Sequence, residues 1–281
     1  MSHLFDTHCH SEFSFDGKKA SVAGSSAGAK ANGLGGICFT DHCDFCVPES
    51  KLEGDVERFG KEAASEVFDI RAQQLEIERV RKEIPGIEIF KGIEIGLGKA
   101  NREMIAKTLK ENSFDQVIAS VHYIGGIDPF DGTYYEGKDF KEAYGEYLTI
   151  LYEESHFIRD FDIAGHFDYV ARYAPYPEES VLYKDFSDIF DTLLRFLAEE
   201  GKALEINTKT YRTYRNRTPV LDKNILIRFK ELGGEFITLG SDAHDTVRPG
   251  ENFERFAAEV QSCGFRYLTH FQERKPVPVK I

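Results

Sequence analysis

The sequence predicts a parallel α/β architecture in one domain spanning residues 1–281, and three observations carry that expectation. Short apolar runs alternate with longer amphipathic stretches, the pattern of repeated strand-then-helix units. At 281 residues the chain has the length of two small domains or one α/β barrel, and no Pro/Gly/Ser-rich linker divides it. Hydrophobic residues make up 41% and charged residues 30%, a globular balance that can bury a core without disulfide or metal staples.

The elements follow in order. Expected strands lie at residues 4–7, 36–40, 87–95, 116–120, 161–164, 203–206, 236–239 and 267–269, each short and bounded by Gly, Asp, Ser or Asn. The first helix, residues 22–32, is rich in small residues and stops at Gly33. The second, residues 57–82, is long and charged, with Phe59, Ala63, Val67, Ile70, Leu75, Ile77 and Val80 at mostly helical spacing. Further helices are expected at 140–157, 183–200, 219–232 and 251–263. The helix from 219 has Thr218 as N-cap, Pro219 in its first turn and Gly233-Gly234 beyond its end. Residues 44–55 and 123–137 read as loops long enough to carry function.

The formal net charge of −13 opposes nucleic acid and anionic membranes, which need clustered Lys and Arg. It does not exclude a phosphorylated small molecule, because bound cations reverse the local sign. The five cysteines are odd in number and irregular in spacing, so no disulfide framework is expected. Cys43 and Cys46 form one CxxC, but a structural zinc site wants a second pair, and plain reduced thiols fit better. The N-terminus lacks a basic stretch followed by an apolar one, and no apolar run reaches the roughly 18 residues of a membrane span. A cytoplasmic location is the expectation.

Six of the nine histidines sit at or just beyond the ends of expected strands: His8, His10, His42, His122, His166 and His244. Glu94, between Gly92 and Gly96, adds a carboxylate at another strand end. A lone strand-end histidine is usually structural. Two at HxH spacing, as in His8 and His10, point to one side of an extended chain and can grip one ion. In a parallel barrel the C-terminal strand ends converge on one face, so these side chains would meet there. Imidazole with carboxylate suits zinc, iron or manganese. His3, His156 and His270 lack this context and read as ordinary.

The segments DTHCHSEFSFDG, TDH, SVHYIGG, AGHFDYV and GSDAH, in this order, resemble the polymerase-and-histidinol-phosphatase (PHP) superfamily. The stretches YYEGKD, GHFDYVARY, EINTKTYRTY and YLTHFQERKPVPV resemble its histidinol-phosphate phosphatase branch. The resemblance implies a distorted (β/α)7 barrel with a trinuclear site of zinc, iron or manganese at the C-terminal ends of the strands. Carried over by residue, one ion takes His8, His10, Glu94 and Asp242. A second shares Glu94 and adds His122 and His166. The third takes Asp16, His42 and His244. Some relatives have His where Asp16 stands, which makes the third site harder and more anionic. Three divalent ions bring about +6 against about −3 from Asp16, Glu94 and Asp242, leaving charge to hold a phosphate dianion and a hydroxide.

The resemblance implies hydrolysis of L-histidinol phosphate, a small phosphomonoester, in histidine biosynthesis. On that resemblance, a hydroxide bridging the ions that share Glu94 would be expected to attack phosphorus in line. Glu94, Asp242 and His244 are the catalytic candidates, with the proton donor to the leaving alkoxide open among a metal-linked water, Asp242 and a histidine. Arg172 and Arg212 are the phosphate-binding candidates, with Arg215 and Lys209 behind them. Acidic residues of the 128–136 loop are weaker candidates for the substrate's ammonium and imidazole. Two alternatives stand beside this: a PHP-type nucleotide phosphatase or 3′-end nuclease, and a metal-binding barrel without activity. The absence of tryptophan and the acidic charge argue against a long polynucleotide.

Overall fold

The computed structural model describes residues 4–281, so the expectation for His3 lies outside the described residues. Seven parallel strand positions form one sheet that curls into a nearly closed, irregular barrel, as expected. Strand β1 (Phe5–Cys9) pairs with β2 (Gly36–Phe39), and β2 pairs with β4 (Glu88–Gly96). The two-residue β3 (His42–Cys43) also pairs with β4, so β2 and β3 act as one interrupted strand. The order continues through β5 (Gln116–Ser120), β6 (Ile163–Ala164), β7 (Ala203–Asn207) and β8 (Ile237–Gly240), all parallel. Thr7 Oγ1 donates to Leu239 O at 2.9 Å, and a parallel bridge joins Cys9 to Ala243, bringing β1 beside β8. The strands are buried over most of their length, as continuous apolar runs in a sheet covered on its outer face should be.

The helices are α1 (Val22–Ala31), α2 (Glu49–Phe59), α3 (Ile70–Glu83), α4 (Arg102–Glu111), α5 (Phe140–Ile158), α6 (Ser187–Glu199), α7 (Lys223–Glu231) and α8 (Phe253–Ser262). Ser21 caps α1 by accepting from Gly24 N, and Asp139 with Glu142 forms a capping box on α5.

The long helix expected at 57–82 is instead two helices. Gly60 turns left-handed at φ 98°, Ser65 is extended, and Val67 bridges to Cys43 before Asp69 caps α3. The four-residue spacing of Phe59, Ala63 and Val67 imitated one continuous face. Residues 49–55 of the loop expected at 44–55 belong to α2. Helix α7 starts at the Asp222 cap rather than at Pro219, because residues 218 and 220 give their amides to Glu179 and Ser180. Helix α4 was not anticipated.

The expected strand at 267–269 is β9 (Tyr267–Gln272), and it does not join the barrel. It pairs antiparallel with β10 (Lys275–Lys280) in a hairpin. Phe271 packs in a small cluster with Ile118, Ile163 and Ala203, and His270 stacks on Phe5 with ring centroids 3.8 Å apart. Arg274 Nε bonds Asp162 Oδ2 at 2.5 Å, and its amide donates to Asp115 O at 2.9 Å. Asp115 and Asp162 immediately precede β5 and β6, so the hairpin covers the N-terminal mouth of the barrel. The opposite mouth is left to polar side chains.

Candidate metal centre

Glu94 is fully buried on β4, and each of its oxygens faces a different set of histidines. Oε2 lies 3.0 Å from His42 Nδ1, 3.3 Å from His8 Nε2 and 3.6 Å from His10 Nε2. Oε1 lies 3.0 Å from His166 Nε2 and 3.2 Å from His122 Nε2, and it accepts from Ser120 Oγ at 2.7 Å. His10 Nε2 also approaches Asp242 Oδ1 at 3.3 Å. His244 Nε2 is 2.9 Å from Asp16 Oδ2, and His42 Nε2 is 3.9 Å from the same oxygen. The seven residues read from the strand ends therefore converge, and Asp16 and Asp242, which the resemblance added, lie with them. His42 stands between two sets, with one nitrogen toward Glu94 and the other toward Asp16.

Among the described residues, Glu94 Oε2, His8 Nε2, His10 Nε2, His42 Nδ1 and His244 Nε2 are buried atoms without a hydrogen-bond partner. Buried polar atoms rarely stay unpaired. Two ligand atoms about 2.0–2.1 Å from one zinc ion, at tetrahedral to right angles, stand roughly 2.9–3.4 Å apart, and most of these contacts fall in that range. Ligand atoms of His8, His10 and Glu94 lie within 4.8 Å of one another, as do those of Glu94, His122 and His166, and those of His10, His42 and His244. The donor set fits divalent ions of the zinc type.

Charge tells the same story. Burial would push His8 down, but Glu94 and Glu205 hold it well above the ordinary imidazole range. Burial likewise opposes protonation of His122, which Asp44 and Glu94 raise, and of His42, which Glu94 and Asp16 lift to about 9. Burial pushes His166 down to about 4 and, with His244 and His42, lowers His10. Burial would raise Glu94, yet His8, His122 and His42 hold it well below the carboxylate range. Among protein atoms alone, these carboxylates hold protons on imidazoles, a demand that a divalent cation meets better.

Two supporting carboxylates escaped the sequence analysis. Glu205 Oε1 accepts from His8 Nδ1 at 2.7 Å, and its Oε2 accepts from the His166 amide at 2.7 Å. Asp44 takes His122 Nδ1 at 2.9 and 3.0 Å. Both leave the opposite ring nitrogen aimed at Glu94, the carboxylate–histidine arrangement that orients metal-binding imidazoles. The close fit depends on glycine. A Cβ on Gly96 would stand 1.8 Å from Asp44 Oδ1, and one on Gly240 would stand 2.2 Å from Glu205 Oε1. A signal for Glu205 was present: a charged residue inside the apolar run of β7. Asp44 lies two residues beyond His42 and so shares its side of the extended chain.

Beside the cluster opens a cavity of about 290 Å³, lined on the barrel side by His42, His122, His166, Asp242 and His244 together with Arg172 and Lys209. Arg172 is buried. Its Nη1 donates to Asp242 Oδ2 at 2.8 Å, its Nε to Thr210 Oγ1 at 2.8 Å, and its Nη2 has no hydrogen-bond partner. Lys209 Nζ reaches Asp242 Oδ1 at 2.9 Å. Burial would raise Asp242, but Lys209 and Arg172 hold it well below the carboxylate range. Its backbone is left-handed at φ 49°, a conformation Asp tolerates better than most residues. Arg212 stands outside the cavity lining. Its Nη2 donates to Ser241 O at 3.2 Å and its Nε pairs with Glu251 at 2.5 Å. Arg215 does not line the cavity either.

A wall of α2 and neighbouring segments faces the barrel side. It brings Lys51, Asp55, Arg58 and Phe59, with Phe15, Glu66, Asp128 and Phe130. His156 lies on α5 away from the cluster, and among the described residues no helix is long and apolar enough to cross a membrane.

Comparison with known proteins agrees with the geometry. The PHP domain family model matches residues 6–209. The chain is 35% identical to the histidinol-phosphatase of Lactococcus lactis subsp. lactis over 272 residues, covering 96% of this chain and 95% of that protein. It is 30% identical to a probable histidinol-phosphatase of Clostridium acetobutylicum, over 94% of this chain and 95% of that one. The crystal structure of histidinol phosphate phosphatase from Lactococcus lactis subsp. lactis, complexed with zinc, L-histidinol and phosphate, superposes with a TM-score of 0.82. The sequence identity is 33%, and the match covers 98% of both chains.

Proposed function

Because the chain belongs to the PHP domain family, we propose that it is a metal-dependent histidinol-phosphatase, hydrolysing L-histidinol phosphate to L-histidinol and phosphate. The observation that carries this reading is Glu94, whose two oxygens each face their own set of imidazoles beside the Arg172–Lys209 pair. The relative bound to zinc, L-histidinol and phosphate supports the substrate.

We assign His8, His10, Glu94 and Asp242 to one ion, Glu94, His122 and His166 to a second, and Asp16, His42 and His244 to a third. Zinc is favoured by the relative, and iron or manganese suit the same donors. When bound, such ions supply Lewis-acid activation of water and neutralise charge on the phosphate. Glu94, with one oxygen toward each set of imidazoles, would be a ligand to both of the first two ions. Arg172, through its unpaired Nη2, and Lys209 hold phosphate oxygens, Arg172 with the directional fork of a guanidinium. Arg212 supports them indirectly, by holding the backbone at Ser241 next to Asp242. His244, or a metal-linked water beside it, would pass the proton to the leaving oxygen, while Asp242, held ionised by Lys209 and Arg172, accepts rather than donates. Phe15, Phe59 and Phe130 shield the cavity from bulk water.

The chain is proposed to work as one domain, in the cytoplasm, on a small molecule and without nucleic acid. Phosphate release from metal-reconstituted protein tests the substrate. Histidinol phosphate should show a kcat/KM at least about tenfold above any nucleoside monophosphate. A nucleotide turned over faster would leave the family intact and remove the assigned substrate.

A further inference from the structure

The wall facing Arg172 and Lys209 is acidic, and its charge is incompletely matched. Asp55 and Glu66 are each only 3% exposed, yet both line the cavity. Asp55 Oδ2 is a buried oxygen without a hydrogen-bond partner. Glu66 accepts from Tyr123 Oη and, among the described residues, has no ion pair with a Lys, Arg or His. The Lys51 ammonium is divided among Asp55 at 3.4 Å, Asp128 at 3.6 Å and Asp131 at 3.4 Å. Arg58 lies over the rings of Phe59 and Phe130. Burial and the nearby Asp44 push Glu66 up to about 9, with Asp55 adding to the rise. A buried carboxyl group in that condition gains from a cation brought beside it.

We propose that Glu66 and Asp55 form the specificity pole of this enzyme, receiving the cationic nitrogen of the substrate while Arg172 and Lys209 take its phosphate. The inference rests on the histidinol phosphate reading and places the acidic pole at Asp55 and Glu66 rather than in the 128–136 loop. In that loop Asp128 and Asp131 already share Lys51, and Asp128 also accepts from Tyr169 Oη at 2.8 Å. Phe15, at 5.4 Å from the His42 ring, and Phe59, edge-on to Phe15, supply flat apolar walls for an imidazole between the two poles. A substrate without a cationic nitrogen would use only the basic side.

The test compares the zinc-loaded enzyme with its Glu66→Gln and Asp55→Asn variants on histidinol phosphate and on p-nitrophenyl phosphate. Glutamine can still accept from Tyr123, so the fold around residue 66 keeps its hydrogen bond. Each variant should lose roughly ten- to a hundredfold in kcat/KM for histidinol phosphate, mostly through KM, and change by no more than about twofold on p-nitrophenyl phosphate. Inhibition by L-histidinol should weaken in parallel, while inhibition by inorganic phosphate should not. Equal losses on both substrates, or wild-type behaviour on both, would overturn the proposal. A wild-type enzyme that does not prefer histidinol phosphate would instead remove the function reading itself, and this inference with it.

Discussion

Glu205→Gln is nearly isosteric, yet it should weaken zinc binding by roughly ten- to a hundredfold. The two shortest contacts of the Glu205 carboxylate come from donors, His8 Nδ1 at 2.7 Å and the His166 amide at 2.7 Å, with Asn207 Nδ2 adding a longer one to Oε2 at 3.3 Å. A carboxylate can accept from both, whereas a glutamine amide has one accepting oxygen. If that oxygen stays on the His166 amide, the NH2 group faces His8 Nδ1. His8 must then accept there and carry its proton on Nε2, the nitrogen 3.3 Å from Glu94 Oε2. That nitrogen no longer has a lone pair for an ion. The flipped amide instead sets two donors against each other at His166. Either arrangement loses one buried charge-assisted hydrogen bond, worth about 1.5–3 kcal/mol, which is the stated range in affinity. Competition with a chromogenic zinc chelator measures the change, and thermal melting followed by circular dichroism checks the fold. Zinc affinity within about threefold of wild type in a folded variant would refute the argument that Glu205 sets the His8 tautomer.

The remaining predictions use other parts of the molecule. Protein purified without chelator should carry two to three ions per chain by elemental analysis. Glu94→Ala should lower that content and reduce activity by orders of magnitude. Arg172→Ala and Lys209→Ala should keep the metal and lose roughly ten- to a hundredfold in kcat/KM, with Arg212→Ala affected less; metal loss in the Arg172 variant would contradict a phosphate role. Burial lowers His270 to about 4, below its unfolded value near 6.5. Between those values the unfolded chain binds more protons, so stability falls as pH drops from about 6.5 toward 4 and levels off below. The contribution is on the order of 1–3 kcal/mol after allowance for solvent screening. His270→Phe preserves the stack on Phe5 and should flatten that part of the urea-midpoint profile; identical profiles would sink the assignment.

Much of the site was legible because strand ends are marked in sequence. Each motif couples a short apolar run to His or Asp, and parallel topology forces those ends onto one face. Glu205 and Asp44 were less visible, because a carboxylate that serves an imidazole from another strand has no neighbour in sequence to announce it. Arg212 illustrates the same limit. Its segment lies beyond a strand end, yet Glu251 and Ser241 O draw its guanidinium out of the cavity lining. In the fold, periodicity could not distinguish one helix at 57–82 from two, since the left-handed Gly60 and extended Ser65 break the helix without disturbing the apolar spacing. Helix α4 buries only Ile105 and Leu109 within its ten residues, too thin an apolar stripe to read. Strand β9 follows α8 just as a further parallel strand of the barrel would, so its departure into a hairpin with β10 had no local signal.

The closure of β1 against β8 sets an order of assembly. Thr7 and Leu239 are 232 residues apart, and their hydrogen bond joins the first strand to the last of the barrel. Bringing ends that distant together costs about 5 kcal/mol in chain entropy, apart from the constant for any loop. On the ribosome His8 and His10 emerge first, while Asp242 and His244 wait for nearly the whole chain. The β9–β10 hairpin that shuts the other mouth comes later still. An early HxH pair can hold an ion only loosely, with two nitrogens and no carboxylate from across the barrel. High-affinity loading is therefore a late event in biogenesis, coupled to the slow, non-local step of folding rather than to synthesis of the first motif.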